Sequence, residues 1–217
     1  MTGVQTCALP ISFFILLAVC TFAAPKVEVK ALVESYCPDC IDFTAQELKE
    51  LTETKDIMEI TNLEIVPYGK AHIVSRNPPK FTCQHGEKEC YGNKVELCGL
   101  GYFPEHGLNL MNCMQSVRNF DDSTVESCAE KEGVDAKLIL KCAKGEEGDK
   151  LMLHAGDITP TLSYVPSVMV NGEVFTDPEN VIRHICDAYQ GEKPKTCTSW
   201  KLFRCYNELS VSYKHSS

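Results

Sequence analysis

Val27, Val29, Ala31 and Val33 alternate with Glu28, Lys30, Leu32 and Glu34, and the run leads straight into Cys37-Pro38-Asp39-Cys40. A period of two predicts a half-buried strand. Beyond the pair, Ile41, Ala45, Leu48 and Leu51 recur at helical spacing while Glu47, Lys49 and Glu50 fill the outer face, so Cys40 is expected in the first turns of a helix. "NLEIVPYG", residues 62–69, reads as a second strand ended by Pro67 and Gly69. Strand, Cys-x-x-Cys, helix, strand is a βαβ opening and sets the class as α/β.

Two cysteines at this spacing can hold zinc, staple a loop or exchange electrons. Zinc needs four ligands, and the nearest substitutes for a second pair are Cys83, His85, Cys90 and Cys98. An oxidising compartment pairs such thiols instead. A structural 37–40 disulfide closes so short a loop that it restricts little chain entropy. Redox chemistry fits best. A thiol at a helix N-terminus faces unpaired backbone N–H groups and the positive end of the dipole, which stabilise the thiolate. Cys37 is therefore expected as nucleophile and Cys40, one turn later, as the resolving thiol. A pKa of about 5 to 6 is expected for Cys37, inside the range of activated cysteines.

From about 77 to 150 the rhythm changes to six cysteines, short helical patterns such as "VDAKLILKCAK" and frequent glycine, the marks of a disulfide-tied, mostly helical insertion. Regular architecture resumes in "VPSVMVNGEVF", residues 165–175, where Asn171-Gly172 is a hairpin signal. Asp177 is expected to cap a helix that starts at Pro178, buries Val181, Ile182, Ile185 and Tyr189, and stops at Gly191. The tail, 192–217, has little periodicity and is expected to be open to processing.

Thirteen cysteines favour the secretory pathway, where thiols are oxidised in pairs. "ISFFILLAVCTFAAPK" has a signal-peptide core followed by small residues, too short to span a bilayer. No Lys or Arg precedes Lys26, and residues 2–11, "TGVQTCALPI", resemble a translated sequencing adapter. Residues 1–11 are accordingly expected to be an assembly artefact and 12–24 a signal-peptide remnant. The folded region then runs over 25–191. A net charge of −9 without a basic cluster excludes a nucleic-acid partner.

The second motif is more specific than the first. "CQHGEKECYGNKVELC", residues 83–98, resembles the signature of the gamma-interferon-inducible lysosomal thiol reductase family at Cys83, Gln84, His85, Gly86, Glu89, Cys90, Asn93 and Cys98. "VPYGKA", "YVPSVMVNG" and "CDAYQGEKPKTC" are similar to the same family, so the resemblance spans about 27–197. It implies a thioredoxin-like fold with the helical insertion, and an enzyme reducing disulfides of partly unfolded proteins in acidic endocytic compartments. It needs no bound cofactor, only an external thiol reductant. Cys37 and Cys40 match the attacking and resolving thiols. Pro166 takes the place of a cis-proline beside the site, and Val165 would pair its backbone with the substrate chain. No Asn-x-Ser/Thr sequon occurs, so the glycan route to lysosomes is absent and secretion is an alternative address. Rival readings are an oxidase or isomerase of the same fold, and a secreted binding module in which every cysteine is structural.

His85, a lone histidine next to glycine, is expected as a hydrogen-bonded structural residue rather than a proton shuttle. Cys83, Cys90, Cys98, Cys113, Cys128, Cys142, Cys186 and Cys197 are expected to form four bridges. Cys186 with Cys197 is favoured by the short Gly- and Pro-containing loop between them, and Cys128 with Cys142 by a helical hairpin turning near Gly133. Cys205 is the odd one out, expected to be free, removed by processing, or paired in a disulfide-linked dimer. A non-reducing gel of the full chain against Cys205→Ser tests the last option: interchain pairing predicts loss of a dimer band, and an unchanged ratio counts against it.

Overall fold

The computed structural model describes residues 24–199. The expectations for residues 1–23, for 200–217 and for Cys205 lie outside them. The first strand, β1 (Val27–Val33), is central: β2 (Thr61–Pro67) lies parallel on one side and β5 (Ser167–Val170) antiparallel on the other, with β6 (Glu173–Phe175) beyond β5. A parallel β1–β2 pair needs a crossover. It is supplied by α1 (Pro38–Ala45), α2 (Glu47–Glu53) and α3 (Lys55–Met58).

One continuous helix was expected from the cysteines to Leu51, and the chain instead breaks at Gln46, whose φ and ψ are −114° and −81°. Thr44 explains the break. Its hydroxyl lies 2.6 Å from Gln115 Oε1 and 3.0 Å from the Ile41 carbonyl, two acceptors that share its single proton, while its own carbonyl accepts from Asn112 Nδ2 at 3.3 Å. Side chains inserted at this turn compete with the next helical hydrogen bond and bend or interrupt the helix there.

Between β2 and β5 the segment opens with a hairpin of β3 (His72–Arg76) and β4 (Pro79–Thr82), joined through a cis Asn77–Pro78 bond, before turning helical. Five helices follow: α4 (Glu87–Tyr102), α5 (Gly107–Gln115), α6 (Asp122–Glu132), α7 (Ala136–Lys144) and α8 (Glu146–Ile158). Asp121 caps α6 by accepting from Thr124 N–H at 3.1 Å, and Asp135 caps α7 by accepting from Lys137 N–H at 2.8 Å. Gly133 turns the chain between them in the left-handed region, φ +70°.

After the Asn171-Gly172 turn, both residues at positive φ, the chain reaches α9 (Val181–Ala188). The expected start at Pro178 is corrected: residues 178–180 form a single 3₁₀ turn. Asp177 does not cap the backbone because its carboxylate is held by Asn180, Arg183 and His184 side chains at 3.1, 3.2 and 3.0 Å. The helix also stops at Ala188 rather than Gly191.

Both faces of the sheet are covered. Val27, Val29, Ala31 and Val33 pack with Phe43, Leu48, Leu51, Ile57 and the α9 residues Val181, Ile182 and Ile185. Leu32 and Val66 on the opposite face pack with Met152 and Ala155 of α8. The expected half-buried alternation holds as far as Lys30 and fails beyond it, since Leu32 and, just past the strand, Glu34 are both fully buried. A third cluster, including Val95, Leu110, Met114, Val125 and Ile139, binds the helices to one another. No helix among the described residues is long and apolar enough to cross a membrane.

Four disulfides are present among the described residues: Cys83–Cys90, Cys98–Cys142, Cys113–Cys128 and Cys186–Cys197. The expected Cys128–Cys142 pairing is corrected. The hairpin at Gly133 exists, but its two cysteines face different neighbours, Cys128 toward α5 and Cys142 toward α4. Cys98–Cys142 spans 44 residues and Cys83–Cys90 only 7. Loop-closure entropy then predicts a loss of about 4 kcal/mol for Cys98→Ala/Cys142→Ala against about 2 kcal/mol for Cys83→Ala/Cys90→Ala. Urea unfolding of the two double variants checks the order, and an equal or inverted loss contradicts it.

Candidate active site

Cys37 is the N-cap of α1, with Pro38 at the first helical position, where a missing N–H costs nothing. Cys40 follows one turn later. The two are the unpaired cysteines among the described residues, and their surroundings differ sharply. Cys37 retains 7% exposure and its thiol donates to the Val165 carbonyl at 3.9 Å. Cys40 is wholly buried and its sulfur accepts from Glu34 N–H at 3.4 Å. The Val165–Pro166 bond is cis, and the Val165 carbonyl faces Cys37.

The environments push the two thiols apart. A hydrogen bond from the Cys40 thiol, aided by the N–H groups of Cys40 and Asp39, lowers the Cys37 pKa to about 7, with burial and the Glu34 charge opposing. Burial first, then the hydrogen bond to Cys37 and its charge, drive the Cys40 pKa far above the ordinary cysteine range. Cys37 thus stops short of the 5 to 6 expected, because the helix terminus is only part of its surroundings. The sequence pattern had put Glu34 in solvent.

Glu34 is the residue that sequence reasoning missed. It follows β1 directly and is fully buried; Oε1 accepts from Lys70 N–H and Oε2 has no hydrogen-bond partner. Its pKa is raised, chiefly by burial. The signature residues gather around it. Glu89, also fully buried, accepts from His85 N–H at 3.1 Å and from the His85 ring, and His85 Nδ1 lies 4.0 Å from Glu34 Oε2. The hydrogen bond to Glu89 raises the His85 pKa despite partial burial. The three side chains present one ligand atom each within 4.8 Å, a grouping that could also hold a cation.

The rest of the signature braces the loop before Cys37. Asn93 Oδ1 accepts from Ser35 N–H at 2.9 Å, and Ser35 Oγ donates to the Glu89 carbonyl at 3.2 Å. Gly92 lets α4 come this close: a Cβ there would lie 2.5 Å from Ser35 Oγ and 2.8 Å from the Tyr36 ring. A glycine inside a helical pattern was the signal available beforehand. Cys83–Cys90 closes the turn carrying His85, with Gly86 at φ +87°, whereas Cys98 ties α4 to α7. Gln84 is exposed. Tyr36 stacks on Phe120 and donates to its carbonyl at 2.7 Å.

A thiol pair split in this way at the mouth of a helix, facing a cis-proline in a four-stranded mixed sheet, defines a thiol–disulfide oxidoreductase of thioredoxin-like fold. Solved structures share the fold: BdbD of Bacillus subtilis superposes with a TM-score of 0.57 at 10% identity over 74% of this chain and 84% of that one. DsbA of Xylella fastidiosa gives 0.51 at 16% identity over 75% and 87%. The model described as gamma interferon inducible lysosomal thiol reductase (GILT) matches residues 28–132. The mouse protein named gamma-interferon-inducible lysosomal thiol reductase is 35% identical over 81% of this chain and 73% of its own length. Its goldfish (Carassius auratus) counterpart is 32% identical over 81% and 74%. An Arabidopsis thaliana gamma-interferon-responsive lysosomal thiol protein is 31% identical over 87% of each. The chain belongs to the gamma-interferon-inducible lysosomal thiol reductase family.

Acid should stabilise this fold. Glu96, wholly buried in α4, holds Gln115 Nε2 at 3.0 Å through one oxygen and leaves the other unpaired, and burial pushes its pKa up to about 8. A carboxyl raised on folding binds its proton more tightly in the native state, so its stabilisation is present below the unfolded value near 4.5 and is lost as pH rises toward 8. Glu34 has the same sign, and so does His85, whose raised pKa makes its contribution full below about 6.5 and absent above its folded value. The urea midpoint is expected to fall from pH 5 to pH 8, and Glu96→Gln to flatten most of that slope. A midpoint that rises with pH contradicts the assignment.

Proposed function

We propose that this enzyme reduces disulfide bonds of partly unfolded proteins, with Cys37 as nucleophile, Cys40 as resolving thiol and an external thiol restoring the pair. The observation that carries the reading is the asymmetry of the two sulfurs. A thiol with a pKa of about 7 is thiolate about one time in a hundred at pH 5, some thirtyfold more than an ordinary cysteine near 8.5. Cys40, dry and proton-bound, does not compete for substrate and reacts only with the sulfur beside it.

Substrate docks where Cys37 reaches the surface. The Val165 backbone offers an edge to an extended chain, Tyr164 stands 68% exposed next to it, and a cavity of about 320 Å³ opens beside Pro38 between Tyr36, Ile41, Val117 and Phe120. Its lining is mixed, with Asp42, Ser116, Arg118 and Asn119 beside these apolar side chains, and suits an extended segment that brings both apolar side chains and backbone polar groups. Four disulfides fit an oxidising compartment of the secretory pathway, and an acid-stabilised fold fits its endocytic, acidic branch.

Turnover on denatured, disulfide-intact ribonuclease A with an added monothiol, at pH 5 and pH 7, tests the reading. Cys37→Ser is expected to lose reduction entirely while still folding, and Cys40→Ser to accumulate mixed disulfide with substrate. Iodoacetamide titration of reduced Cys40→Ser should give a midpoint of about 7, since the serine hydroxyl still donates to Cys37. Cys40→Ala, which removes that donor, should move the midpoint upward. Full activity in Cys37→Ser, or a midpoint near 8.5, would refute the assignment.

A further inference from the structure

Glu34, His85 and Glu89 come from two parts of the chain: Glu34 follows β1, while His85 and Glu89 sit just before and within the first turn of α4, inside the loop that Cys83–Cys90 closes. Both carboxylates are fully buried, and His85 is their one salt-bridge partner among the described residues. Glu89 takes the His85 backbone N–H at 3.1 Å and the His85 ring. Glu34 takes the Lys70 N–H through Oε1 and leaves Oε2 buried without a hydrogen-bond partner, 4.0 Å from His85 Nδ1. That gap is too long for a hydrogen bond. It suits an ion instead: two atoms on one zinc, each about 2.0–2.1 Å from it, stand about 3.3 Å apart in a regular tetrahedron and never more than about 4.2 Å. Two buried carboxylates also call for two positive charges, of which one histidine supplies one at most. The group is seated and open on one side. A Cβ at Gly69 would lie 2.2 Å from Glu34 Cγ, so Glu34 rests against bare backbone, whereas the His85 side chain is 38% exposed and a Cβ at Gly86 would meet nothing within 4 Å, which leaves an ion a way in past the ring.

We propose that Glu34 Oε2, His85 Nδ1 and a Glu89 carboxylate oxygen form a zinc site that ties the end of β1 to the start of α4. The site lies apart from the electron exchange of Cys37 and Cys40 and stands or falls independently of it. The donor set selects the metal. One imidazole nitrogen and two carboxylate oxygens suit zinc, which accepts three protein ligands and a water, whereas calcium and magnesium prefer oxygen alone and copper(I) prefers sulfur. Zinc takes the place of the ring proton that joins His85 Nδ1 to Glu89, and that proton leaves to solvent. The ion's second charge serves the Glu34 oxygen that hydrogen bonds leave open. Ser35, the next residue, bonds to Asn93 Oδ1 and to the Glu89 carbonyl, so an ion here reinforces the same junction of sheet and helical segment.

Thiols bind zinc as well, so the test uses oxidised enzyme, with the Cys37–Cys40 disulfide formed and every remaining thiol blocked by iodoacetamide. Calorimetric titration with zinc chloride is expected to give one ion per chain, and the added zinc to raise the urea midpoint. His85→Gln and Glu34→Gln should each weaken binding at least about tenfold and cancel most of that rise, since losing even a partner beyond the ligands costs a metal site about 10- to 100-fold. His106→Gln, which removes the exposed His106–Glu132 pair at 3.5 Å, should change neither. X-ray absorption of the zinc-loaded enzyme should show nitrogen and oxygen at about 2.0–2.2 Å and no sulfur at about 2.3 Å. Failure to take up one ion per chain, a sulfur ligand, or binding of equal strength in His85→Gln, the mark of an ion held elsewhere on the surface, overturns the proposal. If Glu34→Gln does not fold, His85→Gln, whose altered side chain is partly exposed, decides the matter alone.

Discussion

The amide of Ser35 donates to the Asn93 side chain across the junction between sheet and helical segment, and the position of the reactive sulfur depends on that bond. Cys37 lies two residues beyond Ser35, at the point where β1 ends and α1 begins. A backbone N–H buried without a partner costs about 1–3 kcal/mol, so the loop cannot leave Asn93 without losing more than one contact. Gly92 and the Glu89 carbonyl hold the same stretch from the same helix. The helical segment is therefore not an appendage to a complete oxidoreductase. It forms the wall against which the nucleophile is set.

That wall also makes the interior acidic. Glu34, Glu89 and Glu96 are all fully buried, and ionised carboxylates are costly in such places unless paired or protonated. Each is handled differently. Glu89 has the His85 ring and backbone N–H, Glu96 has one amide from Gln115, and Glu34 has one backbone N–H and a free oxygen. Protons supply what hydrogen bonds leave incomplete.

Much of the active end was legible in the sequence. Alternation into Cys37, helical spacing beyond it and the Asn171-Gly172 turn are local patterns with local causes, and the structure places a strand, a helix start and a hairpin there. What failed was set by distant partners. The α1–α2 break follows from Asn112 and Gln115 reaching Thr44, the burial of Glu34 from helices packed over a face that alternation assigned to solvent, and the partners of Cys128 and Cys142 from neighbours on α5 and α4. Spacing along the chain carries no trace of these. The hairpin at β3–β4 was hidden for another reason, its two strands being short and mostly exposed, with little apolar alternation to betray them.

The two sulfurs are held to one compromise. A Cys37 pKa of 5 instead of about 7 would raise its thiolate fraction at pH 5 about fiftyfold and lower its intrinsic nucleophilicity about eightfold, a net gain of about sixfold. Burial of Cys37, and behind it the Glu34 charge, hold the pKa above that point, and burial likewise keeps Cys40 proton-bound. A thiolate that is scarcer but more nucleophilic, beside a thiol that stays protonated, directs an incoming disulfide to one sulfur and leaves the other to act within the pair.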